Sequence, residues 1–203
     1  MQHIVCLDLE GVLVPEIWIA FAEKTGISEL RLTTRDVPDY SQLMNRRIAI
    51  LEENNLTLQD IQNVISSMAP LEGGKEFLDT LRSETQVIIL SDTFTQFAKP
   101  LMRQLDWPTL FCNSLIVDDN TNKITGFQLR QEDGKRKAVL ALKALNYNVI
   151  ASGDSYNDLT MIEEAGKGVL FRPPQSIVND YQNIPVAQTH SELLHEIRKH
   201  LRA

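Results

Sequence analysis

The sequence predicts an α/β fold, in which helices cover both faces of a mainly parallel sheet. Short apolar runs without alternating polar residues are typical of strands that are buried on both sides. Four such runs occur, at residues 4–7, 87–90, 149–151 and 168–171. Segments with helical periodicity lie between them, such as 74–81 and 137–145, as the crossovers of a parallel sheet require.

Composition and charge argue against several classes of protein. The chain has 203 residues, 43% of them hydrophobic, which is enough for a packed core and argues against a disordered protein. No apolar run approaches the ~20 residues that span a bilayer, and no secretory signal is visible, so we expect no membrane partner. A net charge of −7 without a long basic run argues against nucleic acid. Two cysteines without a disulfide pattern favour a reducing, cytoplasmic location.

The predicted sheet is interrupted after its first strand. Residues 15–70 contain three predicted helices, at 16–24, 41–53 and 58–68, and no convincing strand. This stretch is far longer than an ordinary loop between a strand and a helix. We therefore predict a core of residues 1–14 and 71–203, with 15–70 as an inserted helical cap. An Asp/Asn-rich turn between 115–117 and 123–127 predicts a β-hairpin flap.

Polar side chains follow three of the predicted strands. In open α/β sheets, ligands bind beyond the carboxyl ends of the strands, so we expect these side chains to share one site. They are Asp8 and Glu10 after the first strand, Ser91, Asp92 and Thr93 after the second, and Asp154 and Asp158 after the third.

The acidic residues of this set predict a metal site. Carboxylates that converge on one pocket repel one another unless a cation neutralises them. Oxygen ligands without nearby His or Cys favour a hard ion such as Mg²⁺, which commonly accompanies a phosphate-bearing substrate. The candidate ligands are Asp8, Glu10, Asp154 and Asp158.

Four segments, in this order, resemble the motifs of the haloacid dehalogenase (HAD) superfamily. They are Asp8-Leu9-Glu10-Gly11-Val12, Leu90-Ser91-Asp92-Thr93, the basic Lys135, and Gly153-Asp154-Ser155-Tyr156-Asn157-Asp158-Leu159-Thr160-Met161. The resemblance covers most of the chain and is strongest to the phosphoserine phosphatase branch. Most members carry an aspartate where this chain has Glu10. The glutamate resembles the ThrH-type members, which also transfer the phosphoryl group from phosphoserine to homoserine.

The resemblance implies a role for each residue at the strand ends. Asp8 is the nucleophile that forms an aspartyl-phosphate, and Glu10 is the general acid and base. Lys135 pairs with the phosphate and with Asp8. We prefer it to the adjacent basic residues because Gly134 precedes it and the motif aligns there. Mg²⁺ is held by Asp8, the Glu10 main-chain carbonyl and Asp154, with Asp158 acting through water.

Two polar residues of the motifs have both a binding and a local interpretation. Ser91, helped by Thr93 and the Asp92 and Thr93 backbone N–H groups, is expected to bind the phosphate, although a serine there also makes an ordinary turn. Asn157 is expected to contact the substrate, to cap the helix that begins there, or to do both, and capping is also the alternative for Asp158.

Two residues of the predicted cap are candidates for substrate recognition. Arg47 falls inside an apolar helical arc, where a buried guanidinium needs a partner, and a substrate carboxylate would supply one. The alternatives are an arginine that extends along the stripe to water, or one that pairs with a carboxylate of the cap. Glu16 either binds a substrate ammonium or stabilises the first turn of its helix. Together they suit a zwitterionic amino-acid phosphate.

Other functions remain as alternatives. They are a phosphatase for another small phosphomonoester, a receiver-like module that is phosphorylated on aspartate, and a dinucleotide-dependent oxidoreductase. The last lacks the GxGxxG turn. Trp18, Phe21 and Trp107 are predicted core residues. The sequence leaves the oligomeric state open, a dimer included.

Overall fold

The fold is built on one seven-stranded sheet. The computed structural model describes residues 2–34, 36–37 and 39–202. The strand order is β4-β3-β2-β1-β5-β6-β7, and neighbouring strands are parallel except for the antiparallel pair β3 and β4. The strands are β1 (His3–Leu7), β2 (Gln86–Phe94), β3 (Thr109–Val117), β4 (Ile124–Gln128), β5 (Asn148–Gly153), β6 (Gly168–Phe171) and β7 (Val186–Ala187). The predicted α/β class is confirmed.

Helices follow most of the strands. Those outside the predicted cap are α4 (Gly74–Glu84), α5 (Thr95–Gln104), α6 (Gly134–Ala144), α7 (Tyr156–Ala165), α8 (Gln175–Asp180) and α9 (His190–Leu201). Among the described residues between β1 and α4 there are three helices, α1 (Ile17–Thr25), α2 (Tyr40–Glu53) and α3 (Leu58–Ser66), with a short 3₁₀ turn at Ser28–Arg31. Where the structure describes residues 17–66, it has no strand there. The division into a core and a cap at 14/15 and 70/71 stays a prediction.

Strand β1 is buried on both faces, as its unbroken apolar run predicts. Val5 and Leu7 belong to one apolar cluster, which extends to α1, α2 and α3. Ile4 and Cys6 belong to a second cluster on the other face, against α6 and α7. The sheet therefore separates two cores, and the polar ends of its strands emerge at one edge.

Two predictions about individual elements need correction. Trp18 and Phe21 are buried, but Trp107 is 59% exposed and was wrongly predicted as core. It lies in the turn between α5 and β3, and connecting segments usually run over the protein surface. The hairpin is confirmed, although β3 begins six residues earlier than predicted, at Thr109, because its first half pairs with β2.

A buried histidine connects the two places where the chain passes between the sheet and the helical segment. His190, at the start of α9, is 6% exposed. Its Nε2 lies 2.8 Å from the Val12 carbonyl oxygen and its Nδ1 3.0 Å from that of Glu72. These carbonyls flank the segment that holds α1 to α3. The ring packs between Phe77 and Phe171.

None of the helices that the structure describes combines the length and the apolar character needed to cross a membrane.

Candidate active site

A cavity of about 350 Å³ lies beyond the carboxyl ends of β1, β2 and β5, under α1 and α2. Of the sequence-predicted site residues, all but Asp158 line it. They are Asp8, Glu10, Glu16, Arg47, Ser91, Asp92, Thr93, Lys135, Asp154 and Asn157. The position agrees with the rule that open α/β sheets bind ligands at this edge.

Lys135 is the basic residue at the centre of the site. Its ammonium Nζ lies 3.0 Å from Asp8 Oδ1 and 2.7 Å from Asp158 Oδ1, and 3.7 Å from Asp92 Oδ2. These carboxylates raise its pKa well above the usual value, although burial opposes this. The neighbouring Arg136 instead pairs with Asp133 at the surface. Geometry therefore favours Lys135, as the sequence predicted.

The acidic groups around Lys135 form a cluster that fits a hard cation. Carboxylate oxygens of Asp8, Asp154 and Asp158 lie within 4.8 Å of one another. Burial, together with the charges of Asp158 and Asp154, raises the pKa of Asp8 well above its usual value, and the Lys135 ammonium only partly opposes this. Three carboxylates face one ammonium, so a divalent cation would neutralise the remaining negative charge. The all-oxygen donor set is the one that Mg²⁺ prefers.

Asp158 organises this cluster from beneath the cavity. It is fully buried, and its Oδ1 accepts a hydrogen bond from the Lys135 ammonium. Its Oδ2 accepts the backbone N–H groups of Asp154 and Ser155, at 3.0 and 3.1 Å. Both carboxylate oxygens are thus engaged, which favours the predicted indirect role of Asp158 over direct coordination.

Gly11 allows Asp154 to approach the end of β1. Its backbone has a φ of 78°, in the left-handed region that favours glycine. A Cβ atom at this position would lie 2.5 Å from Asp154 Cγ. Any side chain here would therefore collide with the carboxylate of a candidate metal ligand.

Glu10 lies at the junction between β1 and the helices above it. Its Oε2 accepts the N–H of Ile17, the first residue of α1, at 2.8 Å. Burial raises the pKa of Glu10, and this hydrogen bond offsets part of the shift. A raised pKa favours the protonated form that a general acid needs.

Ser91, Asp92 and Thr93 were predicted to follow the second strand, but β2 continues to Phe94 and contains them near its carboxyl end. Ser91 is buried, and its Oγ accepts the Thr93 N–H at 3.2 Å, so the turn foreseen as the local alternative is present. Asn157 Nδ2 donates to Asp92 Oδ2 at 3.0 Å. The N-terminus of α7 is capped by Ser155 together with Asp158, so the capping alternative is confirmed for Asp158, while Asn157 Oδ1 accepts a hydrogen bond from the Ser155 hydroxyl.

Arg47 and Glu16 approach the cavity from the helical segment. Arg47 is 7% exposed, its Nη2 donates to the Leu32 carbonyl at 2.8 Å, and its guanidinium lies 4.5 Å from the centre of the Trp18 ring. Its buried Nε has no hydrogen-bond partner among the described residues. Burial lowers the pKa of Arg47 to about 10, partly opposed by the charges of Glu10 and Glu16. This burial contradicts the alternative in which the side chain extends to water.

Sequence reasoning missed two residues that complete the site. The Tyr40 hydroxyl, at the start of α2, donates to the Asp92 carbonyl at 2.8 Å. The Asn113 side chain, on β3, donates to the same oxygen at 3.2 Å. Both contacts join residues far apart in sequence, and no local pattern signals them.

Comparisons with known proteins agree with this architecture. The sequence profile of the haloacid dehalogenase-like hydrolase family matches residues 3–166. The chain is 56% identical to phosphoserine phosphatase ThrH of Pseudomonas aeruginosa over 198 residues, which is 98% of this chain and 96% of that protein. It is 58% identical to a phosphoserine phosphatase of Pseudomonas syringae over 97% of this chain and 83% of that protein. A solved phosphoserine phosphatase in the apo form, 22% identical, superposes with a TM-score of 0.78 over 99% of this chain and all of that one. The chain belongs to the haloacid dehalogenase-like hydrolase family.

Proposed function

We propose that the chain is a Mg²⁺-dependent phosphoserine phosphatase that works through an aspartyl-phosphate on Asp8. The buried contact between Asp8 and Lys135, inside an acidic cluster at the end of β1, carries this proposal. Two relatives more than half identical over nearly the whole chain bear the name phosphoserine phosphatase, which supports the substrate.

In the first step, an Asp8 oxygen attacks the phosphorus atom and the bond between phosphorus and the serine oxygen breaks. Glu10 gives its proton to the departing serine oxygen, a role that its raised pKa supports. Lys135 and the Ser91 hydroxyl hold the phosphoryl oxygens, where preorganised donors stabilise the developing charge.

In the second step, a hydroxyl oxygen attacks the same phosphorus atom, and the bond to Asp8 breaks. Glu10, now deprotonated, takes the proton of the attacking hydroxyl. Water as the attacking group releases inorganic phosphate. Homoserine as the attacking group gives homoserine phosphate, and we propose that this chain accepts both.

The clustered carboxylates of Asp8, Asp154 and Asp158 support a metal site in this mechanism. Asp8, Asp154 and the Glu10 main-chain carbonyl would hold Mg²⁺, with Asp158 acting through water. When bound, the ion reduces the repulsion between an anionic nucleophile and an anionic phosphate.

The amino-acid part of the substrate is recognised from α1 and α2. The Arg47 guanidinium, with its unpartnered Nε, takes the carboxylate, and Glu16 takes the ammonium. Homoserine carries the same two groups. Phosphoethanolamine lacks the carboxylate, so we expect it to be a poor substrate.

Arg47→Ala tests this recognition. Losing a charge-assisted contact of about 1.5–3 kcal/mol should lower kcat/KM for phosphoserine by about 10- to 100-fold. Turnover of phosphoethanolamine should change little, since it offers no carboxylate. Arg46→Ala, on the exposed side of the same helix, is the matched control. Equal losses on both substrates would contradict the role of Arg47.

Phosphorus NMR tests the overall proposal. The protein is incubated with Mg²⁺, O-phosphoserine and excess homoserine, with a metal-free sample and Asp8→Asn as controls. We expect signals of inorganic phosphate and of homoserine phosphate, and neither in the controls. A signal of inorganic phosphate without one of homoserine phosphate would contradict the proposed transfer to homoserine. A single stoichiometric labelling of the protein, without turnover, would support the receiver-like alternative instead.

A further inference from the structure

The pairing of β2 with β3 is irregular at the edge of the cavity. The register between the two strands shifts between Leu90 and Phe94, so the regular ladder of hydrogen bonds is interrupted there. Within this irregular stretch, the Asp92 carbonyl accepts hydrogen bonds from the Tyr40 hydroxyl at 2.8 Å and from the Asn113 amide at 3.2 Å. One of its two partners therefore comes from α2 and the other from the sheet.

The direction of this carbonyl determines the direction of the next N–H. In a trans peptide, the carbonyl and the N–H that follows it point in opposite directions. Holding the Asp92 carbonyl thus also orients the Thr93 N–H, which donates to Ser91 Oγ at 3.2 Å. The serine oxygen is held as an acceptor, and its own hydrogen is left to donate to a phosphoryl oxygen.

Tyr40 is well placed to act as a fixed donor. Burial raises the pKa of its hydroxyl, so the group keeps its proton over the working pH range. Its ring packs edge-on against Phe127 of β4, with ring centres 5.9 Å apart. The tyrosine is thus held between α2, the hairpin and the end of β2.

We propose that Tyr40 is a positioning residue, which orients the Ser91 hydroxyl through the peptide between Asp92 and Thr93. Phosphoryl transfer then depends on how α2 is seated on the sheet. This inference rests on the phosphoryl transfer at Asp8 proposed above. Through Tyr40, the helical segment would help to position the group that binds the phosphoryl oxygens, in addition to recognising the amino-acid part of the substrate.

A double-mutant cycle between Tyr40 and Ser91 tests the inference. Tyr40→Phe keeps the ring and removes the donor, while Asn113 still holds the carbonyl. We expect kcat/KM to fall about tenfold, less than the 10²–10³ lost when an oxyanion donor is removed outright. The loss should be the same for phosphoserine and p-nitrophenyl phosphate, because both present the same phosphoryl group. In a Ser91→Ala background, Tyr40→Phe should cost less than about twofold.

Tyr147→Phe is the matched control, since its hydroxyl lies 3.4 Å from Gln86 at the surface, away from the cavity. This substitution should leave kcat/KM unchanged in both the wild-type and the Ser91→Ala background. A full tenfold loss from Tyr40→Phe in the Ser91→Ala background would overturn the inference. A loss confined to phosphoserine would do the same, because Tyr40 would then act on the amino-acid part.

Further measurements apply if a variant does not fold or a substrate is not turned over. If Tyr40→Phe does not fold, Asn113→Ala removes the other donor to the same carbonyl and must show the same dependence on Ser91. If p-nitrophenyl phosphate is turned over but phosphoserine is not, the proposed substrate is contradicted. The double-mutant cycle is then measured with p-nitrophenyl phosphate. If neither is turned over, calorimetric binding of orthovanadate with Mg²⁺ replaces kcat/KM in the same cycle.

Discussion

At the scale of single residues, Gly11 and Gly26 share a backbone conformation but differ in the atoms that surround them. Gly11 has φ of 78° and Gly26 has φ of 73°. A Cβ at Gly11 meets the Asp154 carboxylate, whereas one at Gly26 meets nothing within 4 Å. A side chain would therefore strain the backbone at both positions. Only at Gly11 would it also collide with a candidate metal ligand.

Gly11→Ala and Gly26→Ala make this difference measurable. Backbone strain should cost each variant about 1–3 kcal/mol of unfolding free energy, and Gly11→Ala should lose more because its methyl group also collides with Asp154. Only Gly11→Ala should also weaken Mg²⁺ binding, because its methyl group displaces Asp154. Titration calorimetry with Mg²⁺ and thermal unfolding check the two effects separately. Equal Mg²⁺ affinity in both variants would contradict a ligand role for Asp154.

At the scale of elements, the start of α7 combines a helix cap with the electrostatics of the site. Ser155 and Asp158 form a capping box, and the capping carboxylate also accepts the Lys135 ammonium. The stability of this helix end and the position of the central lysine therefore depend on the same side chain.

Ser155→Ala should have two effects. Loss of the cap should lower the unfolding free energy by about 0.5–2 kcal/mol. Activity should fall as well, since Asp158 loses one of the contacts that position it under Lys135. Thr189→Ala, which removes the N-cap of α9, is the control and should lower stability without lowering kcat/KM. A Ser155→Ala enzyme with full activity would show that the cap and the site are independent.

The elements also show what the sequence can predict. Four strands follow from unbroken apolar runs and the three helices between β1 and α4 from helical periodicity, and their bounds agree to within a few residues. The first half of β3 was missed because its pairing with β2 is a non-local contact. The same reason hides Tyr40 and Asn113. Strand-end residues such as Asp8 and Asp154 were predicted, because topology alone places the carboxyl ends of parallel strands together.

At the scale of the whole molecule, the proposed metal site would couple Mg²⁺ binding to stability and to pH. The pKa of Asp8 is raised in the folded chain, so its protonated form is favoured there relative to the unfolded chain. Without metal, this contribution to stability is present at acidic pH and is lost as pH rises through the folded pKa. Mg²⁺ requires the deprotonated carboxylate, so its effect has the opposite sign.

Thermal unfolding with Mg²⁺ and with a chelator checks this coupling. The increase in Tm that Mg²⁺ produces should be larger at pH 8 than at pH 5, because fewer protons compete for the cluster. Asp154→Asn should reduce the increase at both pH values. An increase that is independent of pH would contradict a metal site built on Asp8.

The buried ring of His190 has a consequence for how this fold can be recombined. It contacts main-chain carbonyls of Val12 and Glu72, and every sequence has such carbonyls at these positions. A helical segment from residue 13 to 71 transplanted from a relative would therefore bring compatible ends whatever its sequence. The recipient, in contrast, must supply the imidazole from its own C-terminal helix. Exchange of the segment among relatives thus depends on a residue more than a hundred positions beyond it, as well as on the packing of α1 to α3 against the sheet.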